Sequence, residues 1–365
     1  MNKVRKIVGK IMLILLAVLF IFTVVTYIVH RVKTNKELDV LQQNSLYNPV
    51  SVGDYSLNVT KFGKEDGKHT IVAIAGLGMD DCSVSMRQMT ACLEEDNLVV
   101  FVDRAGYGLS DDTNNEMTLE YIVEDYRKAL KNSGLEEPYI LMPHSVGGVY
   151  ATHWVSKYPE EIEAVVFIDG TQLSENAYVG DEDEYASTWA DYAMASLMKL
   201  GFSRYMLRYD FYLYPDNYTS NEQYLGDALS IRNMGSTAKL SENANTPSNG
   251  QKAFEEIITN DVPKLYICSS WGFETREDFV DYLKWMNRQI EINKLGKEKN
   301  ENPTDEKVAK LLEQCEELRT AVLLPYLNKM GNCQLICLSG DHMIYEQKPE
   351  ECGDIINEFL DKLGG

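Results

Sequence analysis

The chain is 365 residues long, and its 44% hydrophobic and 25% charged residues argue against a disordered or fibrous protein and for a folded body with an ample core. A formal net charge of −21 would repel the phosphates of nucleic acids, so we exclude nucleic acid as a partner. The seven cysteines form no Cys-x-x-Cys pair and have no histidine nearby at metal-ligand spacing, which argues against a zinc site and leaves disulfide pairing open.

The first element in the chain is an almost unbroken apolar stretch from Ile11 to Val29. A helix of this length covers most of a hydrocarbon core of about 30 Å, so we predict a membrane-spanning helix. The stretch runs into His30 and Arg31 without a small-residue cleavage pattern, which disfavours a cleaved signal peptide. It has no polar face, which disfavours a buried core helix.

Basic residues on the two sides of this span predict its orientation. Four precede it and three follow it: Lys3, Arg5, Lys6 and Lys10 against Arg31, Lys33 and Lys36. The small excess predicts a cytoplasmic N-terminus and a single-pass protein whose body lies outside the cytoplasm. We assign residues 1–33 to the tip and anchor, and residues 34–48 to a polar stalk.

From residue 49 onward the pattern changes to short strands. Pieces at Val50–Val52 and Ser56–Phe62 predict an opening hairpin before the turn at 64–67. Continuous apolar runs then alternate with helical patterns, which is typical of a parallel sheet covered on both faces. These runs are Thr70–Ala75, Leu98–Val102, Tyr139–Met142 and Ala164–Ile168. The fold class is therefore α/β.

The alternation stops from 171 to 260, where aromatic and methionine residues recur at roughly helical spacing. We interpret this segment as an inserted helical cap. Strand-like runs resume at Val262–Cys268 and Gln334–Leu338, with charged helical stretches between them and a last helix at about Pro349–Leu363. Residues 49–170 and 261–365 would then form one α/β core.

The strand at Tyr139–Met142 ends in Pro143-His144-Ser145-Val146-Gly147-Gly148 and passes into a helical pattern. A serine in such a sharp turn exposes its hydroxyl above the sheet, and the amide of Val146 at the helix N-terminus stabilises a developing negative charge. The sequence resembles the nucleophile elbow of the α/β-hydrolase superfamily in its His-Ser-x-Gly-Gly variant, with Pro143 where the family usually has glycine.

Further motifs occur in the order of that family. Gly76-Leu77-Gly78 follows a strand and resembles the loop that supplies the second oxyanion donor, so the resemblance implies that role for the amide of Leu77; Ala75 stands where the family usually has histidine. The turn from Asp103 to Asp111 is similar to a structural turn of the superfamily. Leu338-Ser339-Gly340-Asp341-His342 resembles the loop that carries the general base.

Elimination also leads to His342, because the chain has five histidines. His30 borders the membrane, His69 begins a strand, and His153 lies along a helix. His144 is next to the nucleophile, but neighbouring side chains on a turn diverge. Only His342 follows the carboxyl end of a strand, where ligands bind in open parallel sheets.

The acid has two candidates. Many family members carry it after the seventh strand in a Gly-x-x-Asp context, but here no aspartate stands at the expected distance in residues 269–278. Other members carry it after the sixth strand, where this chain has Asp169. We choose Asp169, with Glu274 as the alternative; Asp169 could also merely cap the turn into the cap segment.

The resemblance implies a serine hydrolase of the α/β-hydrolase fold. Ser145, deprotonated by His342, would attack the carbonyl of a small-molecule acyl substrate, while the amides of Leu77 and Val146 hold the oxyanion. This chemistry needs no cofactor and no metal. The apolar lining of the cap favours a carboxylic ester. A small-peptide aminopeptidase on the same triad and a non-catalytic, membrane-tethered receptor or scaffold remain open alternatives.

Overall fold

An eight-stranded sheet lies at the centre of the protein. The structure is a computed structural model that describes residues 2–178, 182–206, 214–292, 298–300 and 303–363. The strand order is β1-β2-β4-β3-β5-β6-β7-β8. The first two strands pair antiparallel, β2 is antiparallel to β4, and the other pairs are parallel. The strands are β1 Pro49–Ser51, β2 Ser56–Gly63, β3 Thr70–Ile74, β4 Leu98–Asp103, β5 Tyr139–Pro143, β6 Ile162–Ile168, β7 Lys264–Cys268 and β8 Cys333–Cys337.

Helices cover both faces of this sheet. They are α1 Asn2–Gln43, α2 Cys82–Ser85, α3 Arg87–Thr90, α4 Leu119–Asn132, α5 Gly147–Lys157, α6 Glu182–Tyr185, α7 Trp189–Leu197, α8 Ser203–Met206, α9 Ser220–Arg232, α10 Thr237–Glu255, α11 Arg276–Ile292, α12 Asp305–Leu318, α13 Leu324–Met330, α14 Ile344–Gln347 and α15 Pro349–Leu363. A 3-10 turn spans Pro159–Glu161, and π-helical turns span Met198–Phe202 and Arg319–Leu323.

The core is divided by the sheet into two layers. Successive side chains of β3 point to opposite faces, so Val72 and Ile74 join one apolar cluster while Ile71 and Ala73 join the other. Every residue of β4, β5 and β7 is buried, which explains their continuous apolar sequence. The predicted α/β architecture is confirmed.

Helix α4 shows how sequence pattern produces this packing. Thr118 caps it by accepting a hydrogen bond from the Tyr121 amide. Its buried apolar residues recur every three or four positions, so one face packs against the sheet: Leu119, Ile122, Val123, Tyr126, Ala129 and Leu130.

Between β6 and β7 the chain forms helices α6 to α10, and we call residues 171–260 the helical insertion. Its described residues contain no strand. Helix α10 returns to the core, where Ala238 and Ala253 are fully buried among the residues of one sheet face.

Helix α1 is long and apolar enough to cross a membrane, and its most apolar window is almost entirely unburied. It continues to Gln43, so the structure differs from the stalk expected at residues 34–48. Leu41 is buried there against Leu225 and Leu229 of α9, because the polar segment carries apolar residues at helical spacing that pack on the insertion.

Candidate active site

The turn after β5 holds Ser145 in a strained backbone conformation. Its φ is 52°, a left-handed value that non-glycine residues rarely adopt outside functional turns. Helix α5 begins two residues later, and a Cβ on Gly147 would lie 2.4 Å from the carbonyl oxygen of Ile74 in β3. Only glycine permits this approach, and it produces the tight strand–turn–helix that the sequence predicts.

Two backbone N–H groups border this turn. Val146 follows Ser145 directly and precedes the first residue of α5, while Leu77 lies in the loop after β3, the strand paired with β5. Within the described ranges, neither amide donates a hydrogen bond to the protein, and the Ser145 hydroxyl has no hydrogen-bond partner. All three groups are therefore available to a ligand.

The loop after β8 brings His342 to the carboxyl end of β6. Its Nδ1 lies 2.7 Å from Oδ2 of Asp169, which follows the last residue of β6 and has a φ of 41°. Asp169 is 1% exposed. Its Oδ1 accepts hydrogen bonds from the amides of Ser269 (2.8 Å) and Ser270 (3.2 Å), and the Ser270 hydroxyl donates to Oδ2 at 2.5 Å. The carboxylate is thus fixed from the loop after β7 and directed at the imidazole.

Asp169 and His342 stabilise each other's charged forms. Burial disfavours the ionised carboxylate, but the hydrogen bond and positive charge of His342, with the two serines, outweigh it and lower the pKa of Asp169. Burial likewise disfavours the imidazolium, but the hydrogen bond and charge of Asp169 outweigh it and raise the pKa of His342. Asp169 therefore stays ionised, and His342 is a stronger base than an isolated histidine.

Of the two candidate acids, only Asp169 is hydrogen-bonded to His342 in the described chain. Asp169 contacts the imidazole, whereas Glu274 is exposed in the loop after β7 and makes no contact with His342 within the described chain. The loop after β7 supplies the two serines that bind Asp169, Ser269 and Ser270.

His144 contacts His342, the proposed base, and sequence reasoning missed this contact. Its Nε2 lies 3.0 Å from the carbonyl oxygen of His342, so that nitrogen carries the proton and donates. The two rings lie 4.6 Å apart, and Tyr345 packs edge-on against His144 at 5.0 Å. Burial, and then the charge of His342, hold the pKa of His144 well below its usual range, so it stays neutral. A histidine preceding the nucleophile was the only signal for it in the sequence.

Arg104 also acts on the site from a distance. This buried side chain donates from Nη1 to the carbonyl of Ala75 (2.6 Å) and from Nη2 to that of Gly76 (2.8 Å), in the loop that carries Leu77. Its Nε lies 2.9 Å from Oε1 of Glu242 on α10, and both side chains are almost fully buried. The turn from Asp103 to Asp111 thus does more than shape the backbone.

One group of described side chains is close enough to hold a metal ion: Glu120, His153 and Glu256. Lys252 already forms ion pairs with both carboxylates, so the charge that a cation would supply is present. All seven cysteines are free thiols, and Cys268 and Cys337 are paired in register on β7 and β8.

Sequence comparison matches most of the chain to a family model and parts of it to individual proteins. A model of proteins with the alpha/beta hydrolase fold matches residues 70–357. The chain is 34% identical over 169 residues to the uncharacterized protein YbdG of Bacillus subtilis, covering 46% of this chain and 51% of that protein. It is 37% identical over 90 residues to putative methylesterase 14 of Arabidopsis thaliana, covering 24% of this chain and 26% of that protein. The chain spans about half the length, or less, of these relatives.

Solved structures of similar shape cover nearly the whole chain. A putative lipase from Acinetobacter baumannii superimposes with a TM-score of 0.55 at 17% identity, covering 92% of this chain and 96% of the lipase. The haloalkane dehalogenase DbeA of Bradyrhizobium elkani gives 0.55 at 13% identity, covering 87% and 98%. At these identities the likeness concerns the fold alone.

Proposed function

Because the chain belongs to the α/β-hydrolase family, we propose that this hydrolase is a serine esterase that cleaves small-molecule carboxylic esters through an acyl-enzyme intermediate. The observation that carries the proposal is the 2.7 Å contact between His342 and a buried, ionised Asp169 at the sheet edge where Ser145 is held strained.

In this mechanism Ser145 Oγ attacks the ester carbonyl while His342 Nε2 takes its proton. Asp169 accepts the Nδ1 proton, holds the imidazole in the required tautomer, and stabilises the imidazolium that forms. The amides of Leu77 and Val146 donate to the oxyanion, each worth roughly 3 kcal/mol in comparable sites. His342 then protonates the leaving alcohol, and water, activated by the same imidazole, releases the acid and restores Ser145.

The hydroxyl of Ser145 lacks a hydrogen bond to His342, as is common before substrate binds, when such contacts are still long. The preference for an ester is supported by the names of similar proteins, a putative methylesterase and a putative lipase. Those names belong to proteins of partial coverage or low identity, so the ester remains our proposal.

We further propose that α1 anchors the enzyme in a membrane, with the body outside the cytoplasm. A removed signal peptide would leave no role for the side chains that join the apolar part of α1 to the insertion, yet Phe22 packs against Phe202, and the Thr26 hydroxyl lies 3.0 Å from the Tyr205 hydroxyl. A core helix would be buried, whereas this apolar stretch is exposed.

The decisive experiment is labelling of the purified protein with a fluorophosphonate probe, followed by assay with p-nitrophenyl esters and aminoacyl p-nitroanilides. Ser145→Ala should abolish labelling and ester cleavage with little change in thermal stability, because this hydroxyl has no packing role. Ser248→Ala, at an exposed serine of α10, is the matched control. Full activity of Ser145→Ala would overturn the mechanism, and cleavage of the anilides alone would make the enzyme a peptidase.

A further inference from the structure

The exposed face of helix α7 is apolar, the reverse of the usual pattern in a water-soluble protein. Ala195 faces the body and is buried, while the residues on the opposite side are all exposed. They follow helical spacing and form one continuous strip, which we call the α7 face: Trp189, Ala190, Ala193, Met194 and Leu197. Trp189 is 84% exposed. A large apolar patch of this kind marks a binding surface rather than a surface in water.

The α7 face is continuous with the membrane helix. The π-helical turn Met198–Phe202 follows α7 directly, and Phe202 packs edge-on against Phe22 of α1 at 6.0 Å. Tyr205 stacks on the same Phe22 ring at 5.9 Å, and its hydroxyl lies 3.0 Å from the hydroxyl of Thr26.

Polarity along this contact follows the polarity of α1. Arg204 is the charged residue of the contact, and it meets His30, Thr34 and Glu37, all beyond the apolar stretch that ends at Val29. The aromatic pair Phe202 and Tyr205 meets α1 inside that stretch. The insertion therefore presents charge where α1 leaves the membrane and aromatic rings where α1 is within it.

The contact with α1 also indicates how deep Phe202 and Tyr205 lie in the bilayer. From Val29 back to Phe22 a helix rises about 10 Å. If Ile11–Val29 spans the hydrocarbon, Phe202 and Tyr205 must lie roughly that far below its boundary. Because only the turn Met198–Phe202 separates α7 from this contact, we infer that α7 lies near the level of the bilayer surface, where tryptophan and tyrosine are favoured in membrane proteins.

We propose that the α7 face is inserted into the lipid bilayer beside α1, so that the insertion lies partly in the membrane and not above it on a tether. This inference depends on the anchoring role proposed for α1 and is independent of the esterase mechanism. The occupant of the surface is the acyl-chain and headgroup boundary of the lipid; the continuity with α1 distinguishes it from a partner protein.

The test uses the full-length chain reconstituted in nanodiscs of phosphatidylcholine, with and without bromine on the acyl chains. Brominated lipid quenches tryptophan at short range, and the chain has four tryptophans, of which Trp154 is fully buried. We expect brominated lipid to lower the wild-type emission and Trp189→Phe to remove most of that quenching. Trp285→Phe, at a partly exposed tryptophan of α11, is the matched control and should keep it.

The outcomes separate the proposals. If the chain does not remain with the discs, the anchor itself is wrong. If it remains but Trp189→Phe leaves the quenching unchanged, the α7 face is not in lipid and this inference is overturned. Discs that hold paired copies and show no quenching of Trp189 would assign the face to a second copy, which also overturns it. Loss of ester cleavage in Ser145→Ala reports on the mechanism alone and does not affect these readings.

Discussion

Asp169 has a positive φ angle, as Ser145 does. Ser145 follows the carboxyl end of β5, and Asp169 follows that of the adjacent strand β6. With a φ of 41°, Asp169 directs its carboxylate toward His342, and the amides of Ser269 and Ser270 donate hydrogen bonds to one oxygen and leave the other for the imidazole. The backbone conformation thus has a specific use, because it aims a buried charge at one nitrogen.

Replacing Asp169, the proposed acid, is the sharpest single-residue test of the mechanism. We expect Asp169→Asn to reduce kcat by about 10⁴, since the amide would bind the wrong imidazole tautomer and could not stabilise the imidazolium. Glu274→Gln, Glu277→Gln and Asp278→Asn should each change kcat by less than about tenfold, because none of these side chains contacts the imidazole. Steady-state kinetics decide between them, and a large loss at one of the three with an active Asp169→Asn would reassign the acid.

The pKa of His342 predicts a pH profile. The base acts only when neutral, so kcat/KM falls as the pH drops through its pKa, which Asp169 holds above the usual value of about 6.5. Asp341 also raises it through charge, without a hydrogen bond to the ring. Asp341→Asn should therefore move the acid limb of kcat/KM to lower pH and leave the plateau nearly unchanged. A limb that moves to higher pH would contradict this assignment of charges.

Individual residues of the proposed site can be predicted from the sequence where they lie in a short local motif. Ser145 and His342 each lie in a short stretch whose residues define the turn, so both can be proposed from the amino-acid sequence alone. The supports for them are not local: Arg104 and Glu242 are separated by more than a hundred residues in the chain, and their contact depends on how α10 packs. Such pairs cannot be predicted from local sequence patterns.

At the scale of elements, helix α10 braces the loop of the proposed oxyanion hole. Glu242 fixes Arg104, which in turn holds the carbonyls of Ala75 and Gly76 just before Leu77. Tyr150 of α5 donates to the same carboxylate at 2.6 Å. The insertion, the nucleophile helix and the oxyanion loop are thus coupled through one buried ion pair.

Breaking that pair should affect both stability and catalysis. Glu242→Gln leaves the buried guanidinium without a counter-charge, and such a change typically costs about 3–5 kcal/mol. We expect a clearly lower Tm in thermal unfolding, while Glu255→Gln, at an exposed carboxylate of the same helix, should leave Tm unchanged.

The double variant Arg104→Met with Glu242→Leu separates the two effects. Removing both charges should restore part of the stability, because an apolar pair of similar size is tolerated in a core, although the carbonyls of Ala75 and Gly76 lose the donors that Arg104 supplies. Without those donors the loop is less well held, so kcat should be low with KM less affected. Recovery of kcat together with Tm would show that Arg104 has no positioning role.

Element boundaries illustrate the limit of pattern reasoning. The buried strands and α15 lie close to the predicted ranges, because continuous apolar runs and strong amphipathicity leave few alternatives. The region after the apolar stretch of α1 was expected to be a stalk because it is polar, yet it is helical and packed. Its few apolar residues become significant only when the insertion is present to cover them.

For the whole molecule, the basic residues before α1 predict on which side the body lies. Protease added outside wall-free cells should digest the body, since the excess of positive charge before the apolar stretch predicts a cytoplasmic N-terminus. Immunoblotting of an epitope at the N-terminus, protected in the same cells, is the internal control. Full protection of the body would reverse the topology while leaving the esterase mechanism unaffected.

The order of the proposed catalytic residues along the chain has a practical consequence. Ser145 and Asp169 both precede the helical insertion, whereas His342 follows it, 173 residues after the acid it contacts. Two polypeptides divided within the insertion would therefore carry nucleophile with acid on one piece and the base on the other. Neither piece would turn over substrate alone, and their mixture would do so only after β6 pairs with β7. The rate at which a chromogenic ester is cleaved would then measure the amount of reassembled protein. The fold could therefore serve as a split reporter.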